Sequence, residues 1–226
     1  MTPSADILRT ARVLLLDFDG PVCSIFAGYP AAAVAEELRK VIASCGDAIP
    51  TEVRDSDHPL RMLRQLAGTS SPDTLRVVAD ALREAELTAA QTATPTPGVD
   101  ELLRAARDAN RRVAIVSNNS TEAVRAYVGR HALDVDHISG RYYGMDPRSL
   151  KPSRHLVNRA LAALVADPDN AVFIGDSAED VAAGLAAGVP VIGYANKPGK
   201  RPTLTEAGAA AIVESLAELS SALRGG

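Results

Sequence analysis

The sequence predicts an α/β protein whose core is an open parallel sheet with helices on both faces, interrupted by a small helical insertion. Three observations support this fold class. Short apolar runs of strand length recur along the chain, helical patterns separate the later runs, and one long interval carries helical patterns alone. Alternation of strands and helices is typical of parallel sheets, because each crossover between parallel strands needs a helix.

Four apolar runs are predicted to be buried strands, because each is short and bounded by polar or turn residues. They cover residues 13–18, 112–117, 171–175 and 190–194. Helical patterns cover residues 99–110, 121–131, 153–166, 178–187 and 214–224, and a short strand is expected near residues 210–213. Gly188 is well placed to end the fourth of these helices.

The interval between Gly20 and Thr94 has no convincing strand and carries three helical patterns, at residues 31–45, 59–66 and 73–87. It ends in a Pro- and Gly-rich segment, residues 94–98, which suits a linker or hinge. We therefore predict two units. Residues 1–20 and 95–226 form the α/β core, and residues 21–94 form an inserted helical module.

Composition excludes several classes of protein. The 226 residues are 46% hydrophobic with a net charge of −4, and no basic cluster indicates binding to nucleic acid. No apolar stretch approaches the roughly 20 residues that span a bilayer, and the first residues lack a signal-peptide pattern. Cys23 and Cys45 have no metal-site or redox spacing. The expected location is the cytoplasm, without a membrane partner, and the sequence leaves monomer and dimer open.

The strongest candidate site is formed by Asp17 and Asp19, which directly follow the first apolar run. Ligands of open α/β sheets bind beyond the carboxyl ends of the strands. Residues two apart in an extended backbone lie on the same side, and two close carboxylates need a cation or a shared proton. The structural alternative is a strand-end turn in which Asp caps backbone amides.

Two further candidates suit an anionic group. Ser117 and Asn118 end the second predicted strand, where a hydroxyl, a carboxamide and backbone amides could hold phosphate oxygens. The alternative is helix capping by Asn119 or Ser120. Lys151 precedes a predicted helix, where its charge opposes the helix dipole unless an anion accompanies it. The alternative is a solvated surface lysine.

The fourth candidate is the segment of residues 175–180, at the end of the third predicted strand. Asp176 and Asp180 would face one pocket if a helix begins near Ser177. Carboxylate oxygens suit Mg²⁺, whose octahedron waters and a phosphate oxygen would complete. The alternative is N-capping by Asp176 or Ser177. All four candidates would meet at one edge of the sheet, and carboxylates, a hydroxyl and a lysine together suit phosphoryl transfer.

These motifs, in this order and spacing, resemble the haloacid dehalogenase superfamily, and the resemblance covers nearly the whole chain. The helical insertion resembles the small C1-type cap of that superfamily, on its Rossmann-like core. The chain looks most similar to the phosphoglycolate phosphatase-like and β-phosphoglucomutase-like branch. The resemblance implies a magnesium-dependent phosphatase that hydrolyses a small phosphorylated metabolite through an aspartyl-phosphate.

The resemblance also implies a role for each motif residue. Asp17 would be the nucleophile, and Asp19 would protonate the leaving alcohol and then deprotonate water. Mg²⁺ would bind Asp17, the backbone carbonyl of Asp19, and Asp176. Asp180 would support the metal site or Lys151. Ser117, Asn118 and Lys151 would bind the phosphoryl group, and Ser117 and Lys151 would offset its charge.

Two alternatives stay open beside hydrolysis. A phosphosugar mutase would use the same core and a cap that excludes water, with His58 or Arg61 as conceivable sugar-contacting residues. A non-catalytic binding or regulatory protein would share the fold, although such proteins usually have a damaged catalytic set. Dehalogenation is disfavoured, because Asp19 supplies an acid that a halide leaving group does not need. The sequence identifies no substrate.

Overall fold

The structure, a computed structural model, describes residues 2–225. Six parallel strands form the main sheet in the order β5-β4-β1-β6-β7-β8, and β2 and β3 form an antiparallel ribbon. The strands are β1 (Val13–Leu16), β2 (Cys23–Ser24), β3 (Thr94–Pro95), β4 (Arg112–Ser120), β5 (His137–Arg141), β6 (Ala171–Gly175), β7 (Val191–Tyr194) and β8 (Ala211–Val213). The helices are α1 (Pro3–Thr10), α2 (Ala31–Ser44), α3 (Thr51–Arg54), α4 (Pro59–Leu66), α5 (Pro72–Thr92), α6 (Val99–Asp108), α7 (Thr121–Arg130), α8 (His155–Ala163), α9 (Ala178–Ala186), α10 (Lys200–Glu206) and α11 (Leu216–Arg224).

The central strand β1 is buried on both faces, as a parallel strand covered by helices requires. Leu14 and Leu16 pack in one hydrophobic cluster with α1, α6 and α11. Val13 and Leu15 pack in the other cluster, to which α8 and α9 contribute. The predicted fold class, an open parallel sheet with helices on both faces, is confirmed.

Several elements differ from the sequence-based expectation. Strand β5 at the edge of the sheet was not predicted, because its residues His-Ile-Ser-Gly-Arg contain no apolar run. The interval between Gly20 and Thr94 is not free of strands, since β2 lies within it. Helix α8 begins at His155 rather than at residue 153, and α11 begins at Leu216 rather than at residue 214.

Helices α2, α3, α4 and α5 form a continuous stretch of the chain, which we call the four-helix segment. Many of its apolar side chains, among them Leu38, Leu66 and Leu82, are at most 1% exposed. The ribbon pairs Cys23 with Pro95 and Ser24 with Thr94, so the chain enters and leaves the segment at the same point.

The ends of the predicted core, Met1 and Gly226, lie outside the described residues. Within residues 2–225, no helix combines the length and the apolar character that crossing a bilayer requires.

Candidate active site

The predicted site residues lie where three neighbouring strands end. Strand β1 runs between β4 and β6, so the carboxyl ends of all three meet at one edge. Asp17 follows β1 and Asp176 follows β6, while Ser117 lies within β4. The backbone N–H of Asp17 donates to the carbonyl of Ile174 over 2.9 Å, which extends the β1–β6 pairing to the aspartate.

Lys151 lies at the centre of the site. Its Nζ donates to Asp17 Oδ1 and to Asp180 Oδ1, each over 2.6 Å, and to the carbonyl of Val116 over 3.2 Å. The residue is only 3% exposed, so it is not a solvated surface lysine. Burial opposes its charge, but attraction by the two carboxylates outweighs burial and raises the pKa of Lys151.

Asp180 divides its two oxygens between two tasks. Oδ1 accepts from Lys151, and Oδ2 accepts from the backbone N–H of Asp176 over 3.1 Å and of Ser177 over 3.0 Å. Ser177 caps α9 in return, with a hydroxyl that accepts from the Asp180 N–H over 3.2 Å. The capping alternative is therefore correct for Ser177, and it coexists with the contact to Lys151.

The Asp17 carboxylate is buried, and burial followed by repulsion from Asp180 raises its pKa despite the attraction of Lys151. Its Oδ1 accepts from Lys151 and from the N–H of Phe18 over 2.7 Å. Among residues 2–225, no hydrogen bond engages its Oδ2. That oxygen is therefore available for chemistry.

Asp176 packs directly against the loop that follows Asp17. A Cβ on Gly20, whose φ is +122°, would lie 2.5 Å from Asp176 Cγ, so only glycine fits there. Asn196 Nδ2 donates to Asp176 Oδ2 over 3.2 Å, and the ammonium of Lys200 contacts the same oxygen. Burial raises the pKa of Asp176, and Lys200 opposes this shift.

The carboxylates of Asp17, Asp176 and Asp180 could together hold a metal ion. One oxygen of each lies within 4.8 Å of the others. These three carboxylates outnumber the two ammonium groups that contact them, Lys151 and Lys200, so the cluster retains negative charge. An excess of carboxylate oxygens suits a hard divalent cation. The residues present therefore fit such an ion.

Asp19, predicted to act as acid and base, lies at the mouth of the site. Its Oδ1 accepts from the backbone N–H of Ile25 over 3.1 Å. The residue is exposed on one side, yet the surrounding protein displaces enough water to raise its pKa, and the hydrogen bond from Ile25 opposes that rise. Its side chain is not part of the three-carboxylate cluster.

The segment of residues 117–120 serves three different purposes. Ser117 lies near the carboxyl end of β4 and is 1% exposed. Asn118 Oδ1 accepts from the Lys151 N–H over 2.7 Å and its Nδ2 donates to the Lys151 carbonyl over 3.2 Å, so this side chain holds the lysine backbone. Ser120 caps α7 by accepting from the N–H of Ala123, as the capping alternative proposed.

Sequence reasoning missed several residues around the site. Arg64 of α4 donates to the Lys151 carbonyl over 2.6 Å and to Glu179 over 3.0 Å. Glu86 of α5 forms a buried ion pair with Arg141, and one signal for it was present, because Glu86 follows Leu82 by four residues on a buried stripe. By contrast, the side chains of His58 and Arg61 are exposed at the start of α4.

Comparison with known proteins agrees with this geometry. Residues 11–188 match the family of haloacid dehalogenase-like hydrolases. A plasmid phosphoglycolate phosphatase of Cupriavidus necator is 34% identical over 131 residues, which cover 56% of this chain and 54% of that protein. The match therefore spans about half the length of this curated relative.

Solved structures share the fold. A structure described as a predicted phosphatase from Clostridium acetobutylicum has a TM-score of 0.72 at 21% identity, covering 95% of this chain and 99% of its own. CbbY from Rhodobacter sphaeroides, in complex with phosphate, has a TM-score of 0.66 at 19% identity, with coverage of 95% and 99%. At these identities the likeness establishes the fold alone.

Proposed function

Because the chain belongs to the family of haloacid dehalogenase-like hydrolases, we propose that it is a magnesium-dependent phosphatase of small phosphorylated metabolites. The observation that carries this function is the buried contact of Lys151 with Asp17, beside two further carboxylates at one edge of the sheet. The similarity to a phosphoglycolate phosphatase supports phosphate esters as the substrate class.

The first step transfers the phosphoryl group to Asp17. Its Oδ2 attacks phosphorus and forms a new P–O bond, while the ester P–O bond breaks and the electron pair leaves with the alcohol oxygen. Asp19 donates a proton to that oxygen, and a raised pKa keeps the carboxyl protonated closer to neutral pH than usual. The products are an aspartyl-phosphate and the free alcohol.

The second step restores the enzyme. Asp19, now ionised, accepts a proton from a water molecule whose oxygen attacks phosphorus. The P–O bond to Asp17 breaks, its electron pair returns to the carboxylate, and inorganic phosphate is released. One group therefore acts as the acid in the first step and as the base in the second.

The remaining residues hold and neutralise the phosphoryl group. Lys151 supplies a fixed positive charge, and the Ser117 hydroxyl and nearby backbone amides donate to phosphoryl oxygens. Asn118 contributes by fixing the backbone of Lys151. Mg²⁺, held by Asp17, Asp176 and the backbone carbonyl of Asp19, with Asp180 in support, would offset negative charge on the carboxylates and the phosphoryl group.

We further propose that residues 21–94 form a cap over the core of residues 1–20 and 95–226, and that the cap selects the leaving alcohol. Support comes from Arg64, which reaches from α4 to the Lys151 carbonyl and so places the four-helix segment directly against the site. A substrate would have to enter between the segment and the core. The cytoplasmic location stays a prediction.

The test is release of inorganic phosphate from a panel of phosphorylated metabolites, with and without Mg²⁺. The panel includes 2-phosphoglycolate, sugar monophosphates and xylulose 1,5-bisphosphate. Asp17→Asn should abolish release and also the acid-stable labelling of the protein by radioactive phosphate, because the nucleophile is lost. Asp134→Asn is the matched control, since this aspartate is exposed and pairs with Arg107.

Three results would contradict this function. Equal turnover by Asp17→Asn would exclude the aspartyl-phosphate, and equal turnover after metal removal would exclude the cation. Conversion of a phosphosugar into its isomer without net phosphate release would identify a mutase instead.

A further inference from the structure

A buried ion pair joins the four-helix segment to the end of strand β4, which carries Ser117. Glu86 of α5 is 0% exposed and Arg141, at the end of β5, is 5% exposed. The pairing is bidentate, with Arg141 Nη1 to Glu86 Oε1 at 2.9 Å and Arg141 Nη2 to Glu86 Oε2 at 2.8 Å. Two parallel hydrogen bonds of this kind fix the orientation of both side chains.

The same pair holds the last three residues of β4. Glu86 Oε2 accepts from the N–H of Ser120 over 2.9 Å, and Glu86 Oε1 accepts from Asn119 Nδ2 over 3.2 Å. Arg141 Nη1 also donates to the carbonyl of Asn118 over 3.0 Å. A carboxylate that accepts four hydrogen bonds holds its neighbours in one arrangement.

This arrangement decides how the Asn119 amide is oriented. An ionised carboxylate only accepts hydrogen bonds, so the NH₂ group of Asn119 must face Glu86. Its Oδ1 then faces Ser117, whose Oγ donates to it over 3.1 Å. The Ser117 Oγ also accepts from the backbone N–H of Asn119 over 3.1 Å. Both the position of the Ser117 hydroxyl and the direction of its hydrogen therefore depend on Asn119.

We infer, on the premise of the proposed phosphatase activity, that Glu86 is a positioning residue that acts through Asn119 on the phosphate-binding hydroxyl of Ser117. A residue of the four-helix segment thereby holds the Ser117 oxygen in place, and the hydroxyl hydrogen turns from Asn119 Oδ1 to a phosphoryl oxygen when the substrate binds. A hydroxyl whose oxygen is already in position has only its hydrogen to turn before it stabilises the developing charge.

A purely structural role for the ion pair makes a different prediction. Loss of structural contacts would lower stability, and its kinetic effect would add to that of any change at Ser117. A positioning role acts only through Ser117, so its effect should vanish once the Ser117 hydroxyl is absent. The two roles are therefore separable by a double-mutant cycle.

Asn119→Ala is the decisive variant, because it removes the side chain that connects Glu86 to Ser117 by hydrogen bonds and leaves the ion pair in place. Inorganic phosphate is the probe, and its affinity for the Mg²⁺-loaded protein is measured by calorimetry beside kcat/KM for at least two phosphate esters. We expect phosphate affinity and kcat/KM to fall roughly tenfold, and equally for every ester, because the phosphoryl group is common to all. Glu86→Gln, compared at equal folded fraction, should show the same pattern.

In the Ser117→Ala background, Asn119→Ala should cause no further loss. Ser139→Ala is the matched control, because Ser139 is fully buried and donates to the carbonyl of Leu156 over 2.7 Å, outside this network. It should lower stability without changing phosphate affinity.

Unchanged phosphate affinity in Asn119→Ala, or losses that add to those of Ser117→Ala, would overturn the positioning role and leave the proposed phosphatase intact. An unsubstituted protein that neither binds nor releases phosphate would instead overturn the phosphatase, and the positioning role with it.

Discussion

The four-helix segment meets the core through two arginine–glutamate pairs that differ in their access to water. We call Glu86–Arg141 the inner pair and Arg64–Glu179 the outer pair. The inner pair is almost completely buried, whereas the side chains of Arg64 and Glu179 are 28% and 38% exposed. Opening the inner pair would leave two charges unpaired in a dry environment, and water would solvate the members of the outer pair.

The same chemistry therefore serves two different purposes. The inner pair fixes α5 to the end of β4, while the outer pair can break at little cost in free energy. Any opening of the segment to admit a substrate should pivot near the inner pair and separate Arg64 from the Lys151 carbonyl. Four predictions test this difference, from the largest expected effect to the smallest.

The largest effect should come from Glu86→Gln, which leaves the buried Arg141 without a counter-charge. We expect the free energy of unfolding to fall by about 3–5 kcal/mol, the usual cost of breaking a buried pair. Urea denaturation measures this change. A loss below about 1 kcal/mol would show that the inner pair is no stronger than a surface pair.

Removing both charges of the inner pair should destabilise the protein less than removing one of them. In the double variant Glu86→Leu with Arg141→Met neither charge of the inner pair remains, but the Ser120 N–H, the Asn118 carbonyl and the Asn119 amide lose partners. We expect the free energy of unfolding to fall by about 1–3 kcal/mol because of these unpaired groups. If the double variant is less stable than Glu86→Gln alone, the unpaired charge is not what makes the single change costly.

Arg64→Ala should affect catalysis more than folding. The outer pair is partly solvated, so the free energy of unfolding should fall by about 1 kcal/mol or less. The loss of the bond to the Lys151 carbonyl should favour the open segment, which raises KM. Arg61→Ala is the matched control on the same helix, because Arg61 is exposed. Equal kinetic effects of the two changes would contradict a closing role for Arg64.

The smallest effect should come from Glu179→Gln, because Arg64 keeps its bond to the Lys151 carbonyl. We expect the free energy of unfolding to change by no more than about 0.5 kcal/mol. The coupling energy between Glu179 and Arg64 should decrease as the salt concentration is raised from about 0.05 to about 1 M. A double-mutant cycle at both salt concentrations measures this coupling. Coupling that does not respond to salt would place the outer pair in a dry environment like the inner one.

The two pairs also show what the sequence could predict. Asp17, Ser117 and Asp176 were assigned to one edge because parallel strands end together, and this rule needs only local patterns. Lys151 was predicted to accompany an anion because its charge precedes a predicted helix, and the structure brings it between Asp17 and Asp180.

The partners of Glu86 and Arg64 could not be assigned in this way. Glu86 lies within the predicted helix of residues 73–87, but its partner is 55 residues away on β5, a strand without an apolar run. Glutamate and arginine are common on exposed helix faces, so neither residue type indicates burial. Which charges meet depends on how the four-helix segment packs against the core, and this packing is not encoded in local patterns.

The ribbon of β2 and β3 bears on how such a protein can diversify. Since the chain leaves and rejoins the core at adjacent positions, a recombination event could exchange everything between Ser24 and Thr94 at little entropic cost. The exchange would destabilise the core unless the carboxylate were replaced, because the Ser120 N–H and the Arg141 guanidinium both donate to Glu86 of the segment. An incoming module would have to bring an acidic residue to that place, so inheritance of the four-helix segment and inheritance of residues 118–120 are linked.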